Sequence, residues 1–455
     1  MLTKLHFKYL DSAEVMLLFI LLARILSAPT ANLSFFLLSA YAITGRFQAI
    51  QALAMSWLFT MMNPGIAPSA SVGVIGRYAV FFAAAISVIY HSGLLSGRLR
   101  VRTFTLFTVC LGGFFVGHSF FISPMVDVSV LKAISWTLVM ATLIAAWLGL
   151  TEQQHARLSQ QLFTGLVVIF IVSLPLVVLP LGYLRNGSGF QGIMNHPQAF
   201  GPTMALLGAW AASRMFGEQR PSWSLVGLVG GCLVVVLLSE ARTAGLAMVL
   251  GVGLSILFGP GFSGMSISKM VPGLRSKRVW SVIFLILSFS LLMAPTVESL
   301  AQNYITKSGR SDAGTLLEAY DRSRGGLIEI MLANIAERPF TGIGFGIASE
   351  PDLMKVDRDP IFNLPVSASI EKGVAPLAIL EELGVFGASF VGFWVLWLLR
   401  GSSRSGLAPF AVCITALVLN MGESTLFSPG GMGLLSLILF AWAFASGKNS
   451  RREYG

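Results

Sequence analysis

The chain has 455 residues, of which 55% are apolar and 11% are charged, with a formal net charge of +10 and a mean hydropathy of +0.77. Because about 25% of the residues in a soluble domain are charged, this composition excludes an ordinary soluble protein. The 47 glycines among so many apolar residues indicate packed transmembrane helices, in which small residues let backbones approach closely.

Apolar runs that approach the roughly 20 residues needed to cross a bilayer predict an all-α, polytopic bundle of twelve to fourteen transmembrane helices. The fourteen candidate spans are residues 14–28, 31–44, 46–62, 76–96, 103–122, 130–150, 161–184, 198–213, 224–239, 243–259, 280–297, 375–399, 406–423 and 429–446. The first three are short and are interrupted by Arg24, Pro29 and Arg46. The region 14–62 could therefore contain two spans or a re-entrant pair instead.

Lysine and arginine collect in alternate connections between the spans. The clusters are Arg98, Arg100 and Arg102; Arg214 and Arg220; Lys269, Arg275, Lys277 and Arg278; Arg400 and Arg404; and Lys448, Arg451 and Arg452. Short cytoplasmic loops carry the excess of these residues, and a cytoplasmic N-terminus places every cluster inside. The sequence thus predicts that both termini are cytoplasmic.

The long hydrophilic stretch at residues 298–374 would lie on the opposite face. It has eight Lys or Arg against eleven Asp or Glu, so its net charge is −3. The basic total of the chain therefore reflects membrane topology, and no nucleic-acid partner is expected, because that would need a basic soluble surface with aromatic platforms.

Two patterns are visible within this loop. Apolar residues recur at helical spacing from Leu316 to Ala336, and Pro339 prevents the helix from continuing. The segment 339–346 has three alternate glycines, yet no Lys-Ser/Thr pair follows it and no strand is predicted before it. It therefore predicts a tight turn against the membrane rather than a phosphate-binding loop.

Several ionisable residues lie on the outer face at membrane level. They are His196 at the start of the span 198–213, Glu240 and Arg242 in the turn between two apolar spans, Glu371 and Lys372 before the span at 375, and Glu381 and Glu382 inside that span. Each is a candidate functional residue, because an ionisable group in or near the hydrocarbon is costly.

Structural interpretations stand beside the functional ones. Lys372 could extend to the interface, Glu371 could cap the following helix, and the backbone could satisfy His196. Arg242 is harder to explain by topology, because the positive-inside preference opposes an arginine on this face, and Glu240 would be its local partner.

Outward-facing arginines without a metal-binding motif favour the binding of a pyrophosphate. The planar guanidinium binds phosphate oxygens, and several together can hold a diphosphate without a divalent ion. The sequence has no HExxH motif and no His cluster at metal-ligand spacing, so no metal and no cofactor are expected.

The order and spacing of four motifs resemble the O-antigen ligase and polymerase superfamily over roughly residues 160–445. The motifs are Asn195-His196-Pro197; Ser239 to Gly245; Arg324 followed by Pro339 to Gly344; and Glu381 to Gly387. The resemblance implies a bacterial inner-membrane glycosyltransferase of the C-type architecture. It divides the chain into N-terminal transmembrane helices at 1–160 and a ligase-like region at 161–455, which includes the periplasmic loop 298–374.

The resemblance also implies the substrates. Such proteins take a glycan from undecaprenyl pyrophosphate at the periplasmic face and pass it to an acceptor, which is lipid A core for a ligase or another lipid-linked repeat unit for a polymerase. Arg242 and Arg324 match the arginines that would bind the pyrophosphate. Polysaccharide export or chain-length proteins are candidate partners, together with the lipid bilayer.

Two positions depart from the family pattern. Ile328 stands where an aromatic residue is usual, and Glu371-Lys372-Gly373 stands near the place where ligases commonly carry His-Asn. The second departure favours an exopolysaccharide polymerase-type member over a lipid A ligase.

The predicted reaction is a direct, metal-independent displacement that inverts the anomeric configuration. Arg242 and Arg324 would stabilise the leaving pyrophosphate, with Arg310 and Arg322 as lesser candidates. Glu371 or His196 would accept the proton of the acceptor hydroxyl. Further candidate site residues are Lys372 and Glu382.

A carrier is the alternative function, either a lipid-linked oligosaccharide flippase or another transporter. It would use Arg24, Arg77 and the pair Glu381 and Glu382. Transporters usually show paired repeats with interrupted helices, and no internal repeat is visible here. A structural role as a scaffold for polysaccharide export has no positive support in the sequence.

Overall fold

A computed structural model describes residues 11–93, 102–184, 189–281, 284, 325–358, 363–368 and 372–453. In these ranges the chain is a bundle of α-helices with one small β-hairpin. Six of the described helices are long and apolar enough to cross a membrane: Gly73–His91, Thr103–Ile122, Val126–Leu148, Glu152–Val178, Arg242–Ser263 and Ala375–Ser403. The prediction of an all-α, polytopic membrane protein is confirmed.

The first part of the chain forms seven helices within the described ranges. They are α1 (Ser12–Leu26), α2 (Ala28–Ile43), α3 (Arg46–Met61), α4 (Gly73–His91), α5 (Thr103–Ile122), α6 (Val126–Leu148) and α7 (Glu152–Ser173). The region 14–62 thus forms three separate helices. Breaks at Ser27 and Gly45 separate them, where the backbone is extended.

Helix α7 begins nine residues before the predicted start of its span at 161. Thr151 accepts a hydrogen bond from the amide of Gln154, and the Gln154 side chain bonds back to the Thr151 amide at 3.1 Å. This reciprocal cap stabilises a polar first turn. Hydropathy identifies only the apolar part of a helix, so the span predicted from it left out the polar first turns of α7.

The second part of the chain supplies the remaining described elements. They are α8 (Pro197–Gly217), α9 (Trp223–Leu238), α10 (Arg242–Ser263), α11 (Ile267–Met270), α12 (Gly326–Glu337), β1 (Val356–Arg358), β2 (Pro365–Ala368), α13 (Ala375–Ser403), α14 (Leu407–Leu419) and α15 (Met432–Glu453). Helix α12 ends before Pro339, as predicted, whereas its predicted start and most of the span 280–297 lie outside the described residues. The sequence did not predict the antiparallel hairpin, in which Val356 lies opposite Ala368.

Helix α8 lies at the centre of the bundle, and most of its residues are buried. Its small residues allow this close packing. A Cβ on Gly208 would lie 2.6 Å from Met248 of α10, and a Cβ on Gly201 would lie 2.5 Å from Ala241. Backbones can approach closely only where such residues face a neighbouring helix.

The helices share one apolar core that includes side chains from both sides of residue 160. For example, the rings of Trp136 in α6 and Phe427, between α14 and α15, have centroids 5.2 Å apart. The division into two sequence regions stays a prediction.

Backbone hydrogen bonds gather several connections at one end of the bundle, called here the site end. The Asn63 amide donates to the Ile193 carbonyl at 2.8 Å, and the Phe190 amide donates to the Leu238 carbonyl at 2.9 Å. The opposite end contains the α3 N-terminus and the connection between α6 and α7, where Arg46 donates to the Gly149 carbonyl at 3.2 Å.

Candidate functional site

Helix α13 is broken at Gly384, nine residues after its first residue, where φ is 64° and ψ is −176°. A break inside a membrane span releases backbone groups that must find partners within the protein. The loop 339–346 supplies them through three hydrogen bonds: Ile343 N to Glu381 O at 2.8 Å, Gly344 N to Glu382 O at 3.1 Å, and Val385 N to Pro339 O at 2.9 Å. Loop and helix therefore form one interlocked unit.

Glycine is required on both sides of this contact. Gly342 has φ of 68°, and a Cβ there would lie 2.6 Å from the Glu381 carbonyl oxygen. A Cβ on Gly384 would overlap the carbonyl of Phe340. The positive φ angles favour glycine as well. The glycine-rich segment is thus a tight turn, as the sequence predicted, and its partner is the broken helix.

Three charged side chains are buried beside the break. The Nζ atom of Lys372 lies 2.8 Å from Oε2 of Glu381 and 3.2 Å from Oε1 of Glu382. The exposed fractions of these side chains are 1% for Lys372, 0% for Glu381 and 8% for Glu382. The interpretation of Lys372 as a residue that extends to the interface is therefore wrong, because its ammonium faces two carboxylates inside the protein.

Polar groups from α12, from the loop 339–346 and from Ser349, just after that loop, satisfy the two carboxylates. Asn334 donates to Oε1 of Glu381 at 2.7 Å, and the Ser349 hydroxyl donates to Oε2 at 3.1 Å. The Gly346 amide donates to Oε2 of Glu382 at 2.6 Å. Buried charges are tolerated only when they are paired and hydrogen-bonded in this way. The cluster consequently ties α12, the loop and α13 together.

A fourth charge, Lys132 of α6, lies at the edge of this cluster. The side chain is half-buried, and its Nζ atom lies 5.8 Å from the ring centroid of Phe345. Glu382 is close enough to attract it electrostatically. The sequence analysis did not select Lys132. A lysine inside the predicted span 130–150 was the signal that could have identified it.

The turn between α14 and α15, residues 420–431, connects this cluster to Arg242. The Ser424 amide donates to the Lys372 carbonyl at 3.0 Å. Gly422 of the same turn packs against the Thr243 side chain so closely that an added Cβ would overlap it. Arg242, the first residue of α10, therefore lies on the same end of the bundle as the charged cluster.

The turn that carries Arg242 has an unusual backbone. Glu240 has φ of 55°, in the left-handed region that non-glycine residues seldom adopt. The Arg242 amide donates to the Glu240 carbonyl at 3.1 Å, which is a backbone contact within the turn. Strained backbone of this kind is concentrated at functional sites. The half-buried Arg242 is held by a short, specific turn.

His196 is the N-cap residue of α8 and is exposed at the site end. Its Nδ1 atom accepts a hydrogen bond from the Gln198 amide at 3.1 Å. The neighbouring Asn195 amide donates to the Met61 carbonyl at 2.8 Å, which fixes the segment against the end of α3. The structure therefore gives His196 a capping role at the same end as Arg242.

The described part of the site thus contains four of the predicted site residues: His196, Arg242, Lys372 and Glu382. The other four, Glu371, Arg310, Arg322 and Arg324, lie outside the described residues. The predicted pair of pyrophosphate-binding arginines, Arg242 and Arg324, therefore stays a prediction.

Two arginines named for the carrier alternative lie in α1 and α4. Arg24 is buried and donates to the carbonyls of Pro68 at 2.6 Å and Phe59 at 3.1 Å. Arg77 lies 5.4 Å from the ring centroid of Tyr78. Arg24 therefore has a structural explanation, since it binds the connection that follows α3.

No family model matches the chain, and no curated protein is found as a relative by sequence. Within the described ranges, no group of three or more His, Cys, Asp or Glu side chains is placed to hold a metal ion. The site is best described by its own chemistry, which is a helix break with buried charges next to a half-buried arginine and an exposed histidine.

Proposed function

We propose that this chain is a membrane glycosyltransferase that transfers a glycan from undecaprenyl pyrophosphate to an acceptor sugar, as a polysaccharide polymerase or ligase. One observation supports the proposal above all. Segments that are far apart in the sequence, at 195–197, 239–245, 339–346 and 381–387, are gathered at one end of the bundle. The resemblance to the O-antigen ligase and polymerase superfamily rests on these same segments.

The proposed location is a bacterial inner membrane with the site end facing the periplasm. Both termini would then be cytoplasmic. The basic clusters support this orientation, because Arg278 of one cluster contacts a connection at the opposite end of the bundle, through the Pro221 carbonyl at 3.0 Å. Cytoplasmic loops carry such an excess of positive charge.

In the proposed reaction, an acceptor hydroxyl oxygen forms a bond to the anomeric carbon of the donor. The bond between that carbon and the phosphate oxygen breaks, and undecaprenyl pyrophosphate leaves with the electron pair. Arg242 and Arg324 would bind the leaving group and stabilise its charge, assisted by Arg310 and Arg322. A single displacement inverts the anomeric configuration.

The hydroxyl proton must pass to a base, and the geometry of His196 bears on the choice. Its Nδ1 lone pair accepts the Gln198 amide hydrogen, so the neutral ring carries its own hydrogen on Nε2. Accepting a proton would require His196 to give up the cap, at a cost of about 1 kcal/mol. Glu371 is therefore the stronger of the two candidate bases.

Lys372 and Glu382 have a different role in the proposal. Because their side chains are buried against each other, we assign them to positioning the loop and the broken helix. The donor would then bind against a rigid surface rather than against these charges. Rigid positioning of reacting groups supplies much of the rate in such displacements.

Purified protein in proteoliposomes with undecaprenyl pyrophosphate oligosaccharide tests the proposal. Arg242→Ala should lower the yield of new glycosidic bonds at least 100-fold, as removal of one transition-state donor typically does by about 10²–10³. Arg338→Ala is the matched control, since Arg338 is an exposed arginine directly before the loop that contacts α13. It should retain wild-type yield.

The same assay separates the enzyme from the carrier. Chain growth or transfer supports the glycosyltransferase. Movement of the lipid-linked glycan across the bilayer without new glycosidic bonds would identify a carrier and overturn the proposal. Equal yields from Arg242→Ala and the wild type would remove Arg242 from the pyrophosphate site.

A further inference from the structure

A crevice lies on the flank of the bundle, between α4 and α5, with α6 as its floor. Its volume is about 790 Å³. Residues such as Ile89 of α4, Val109 of α5 and Leu138 of α6 line it, and none of the described lining residues is acidic. A space of this size and composition lies within the range of pockets that bind small apolar ligands.

The crevice is long enough to hold a hydrocarbon chain. Its floor extends from Ile134 to Leu148, which is about 21 Å along the axis at a helical rise of 1.5 Å per residue. One leaflet of the hydrocarbon core is about 15 Å thick. An acyl chain could therefore lie in the crevice over the whole depth of one leaflet.

Small residues keep the crevice open. Gly113 of α5 lines it, and a Cβ added to Gly113 would meet no atom within 4 Å. Gly112 lets α5 approach α6, because a Cβ there would overlap the Thr137 side chain. Gly112 thus brings α5 close to α6, and Gly113 leaves the crevice beside α5 open.

Two arginines line the end of the crevice that lies away from the site end, Arg46 and Arg102. Arg46 is held in place, with Nη2 donating to the His91 carbonyl at 2.5 Å and Nη1 to the Gly149 carbonyl at 3.2 Å. Its buried Nε atom has no hydrogen-bond partner among the described residues. In those residues Arg46 has no carboxylate partner either, so its positive charge is not neutralised by an ion pair.

We infer that this crevice binds one anionic phospholipid, with an acyl chain between α4 and α5 and the phosphate against Arg46 and Arg102. Basic pockets between transmembrane helices bind anionic head groups, and guanidinium groups form short, charge-assisted bonds to phosphate. The basic end of the crevice lies opposite the end that contains Arg242. The lipid is therefore distinct from the proposed glycan donor, whose pyrophosphate would lie at the site end.

Binding is measured by native mass spectrometry of the full chain in mild detergent, titrated with dioleoyl phosphatidylglycerol or dioleoyl phosphatidylcholine. Phosphatidylglycerol should bind at least fivefold more tightly. Arg102→Gln should weaken its binding about fivefold, since each arginine near an anionic lipid contributes about 1 kcal/mol. Gly113→Leu should fill the crevice and reduce phosphatidylglycerol binding at least fivefold.

Gly117→Leu is the matched control. Gly117 lies one helical turn further along α5, an added Cβ there also meets nothing within 4 Å, and it does not line the crevice. It should bind phosphatidylglycerol as the wild type does, and both leucine variants should unfold at the wild-type temperature. Equal affinity for the two lipids, unchanged binding by Gly113→Leu, or an equal loss in Gly117→Leu would each overturn the inference. The readout does not depend on glycosyl transfer.

Discussion

Replacement of Lys372 by methionine removes the ammonium group that lies between the two buried carboxylates. Methionine has a similar length and no charge. Glu381 and Glu382, which lie 2.8 and 3.2 Å from the Lys372 ammonium, would then face each other across an apolar side chain. Removal of one partner from a buried ion pair costs about 3–5 kcal/mol, because it leaves an uncompensated charge. We expect a loss of this size in the free energy of unfolding.

The free energy is measured by equilibrium unfolding in mixed micelles of dodecyl maltoside and sodium dodecyl sulfate, followed by circular dichroism. Lys355→Met is the control, because Lys355 is an exposed lysine that, like Lys372, precedes Gly384 in the chain. Its replacement should change the free energy of unfolding by no more than about 0.5 kcal/mol. The triple variant Lys372→Met, Glu381→Gln, Glu382→Gln removes the charges of all three side chains. It should recover at least half of the unfolding free energy that Lys372→Met loses. A Lys372→Met protein within about 1 kcal/mol of the wild type would refute the stabilising role of the cluster.

The remaining predictions concern the helix break and the hairpin. Gly384→Ala should destabilise by at least about 1–2 kcal/mol, from the positive φ alone and before the overlap with the Phe340 carbonyl. Gly392→Ala in the same helix, where an added Cβ meets nothing within 4 Å, should be neutral or stabilising, and equal losses in the two variants would argue against a break at Gly384. Asp127→Asn removes a partly exposed ion pair to Arg358 at 2.6 Å, so unfolding should change by less than about 1 kcal/mol while limited proteolysis of the hairpin accelerates. An unchanged cleavage rate would show that this ion pair does not hold the hairpin to α6.

The broken helix explains why a costly set of charges persists inside an apolar protein. An unbroken α13 would satisfy its own backbone and would need no loop against it. With the break, the carbonyls of Glu381 and Glu382 become acceptors for the loop amides, and the carboxylate of Glu382 accepts a further hydrogen bond from the same loop. Irregular backbone at membrane depth is tolerated only where protein surrounds it in this way. The stability of the site and its shape therefore depend on the same contacts.

The sequence located most helices because hydropathy is a local property. Described helices occupy thirteen of the fourteen predicted spans, and the fourteenth, 280–297, lies almost entirely outside the described residues. Helix ends were less accurate, as in α7, because a capped polar turn carries no apolar signal. The sequence also identified Lys372, Glu381 and Glu382 as unusual, since a charge inside a span or directly before it is visible without a structure.

The amino-acid sequence by itself determined that this is a membrane protein. It also determined the positions of most helices along the chain and which residues are too polar for the apolar segments around them. Only the tertiary structure decided how those residues pair. Lys372 meets Glu381 and Glu382 because Gly384 interrupts α13 and lets the glycine loop dock there, and Lys132 joins them from a helix some 240 positions earlier in the chain. The physical reason is that hydropathy and charge are properties of single residues, whereas ion pairs and hydrogen bonds across a bundle depend on which helix faces pack together.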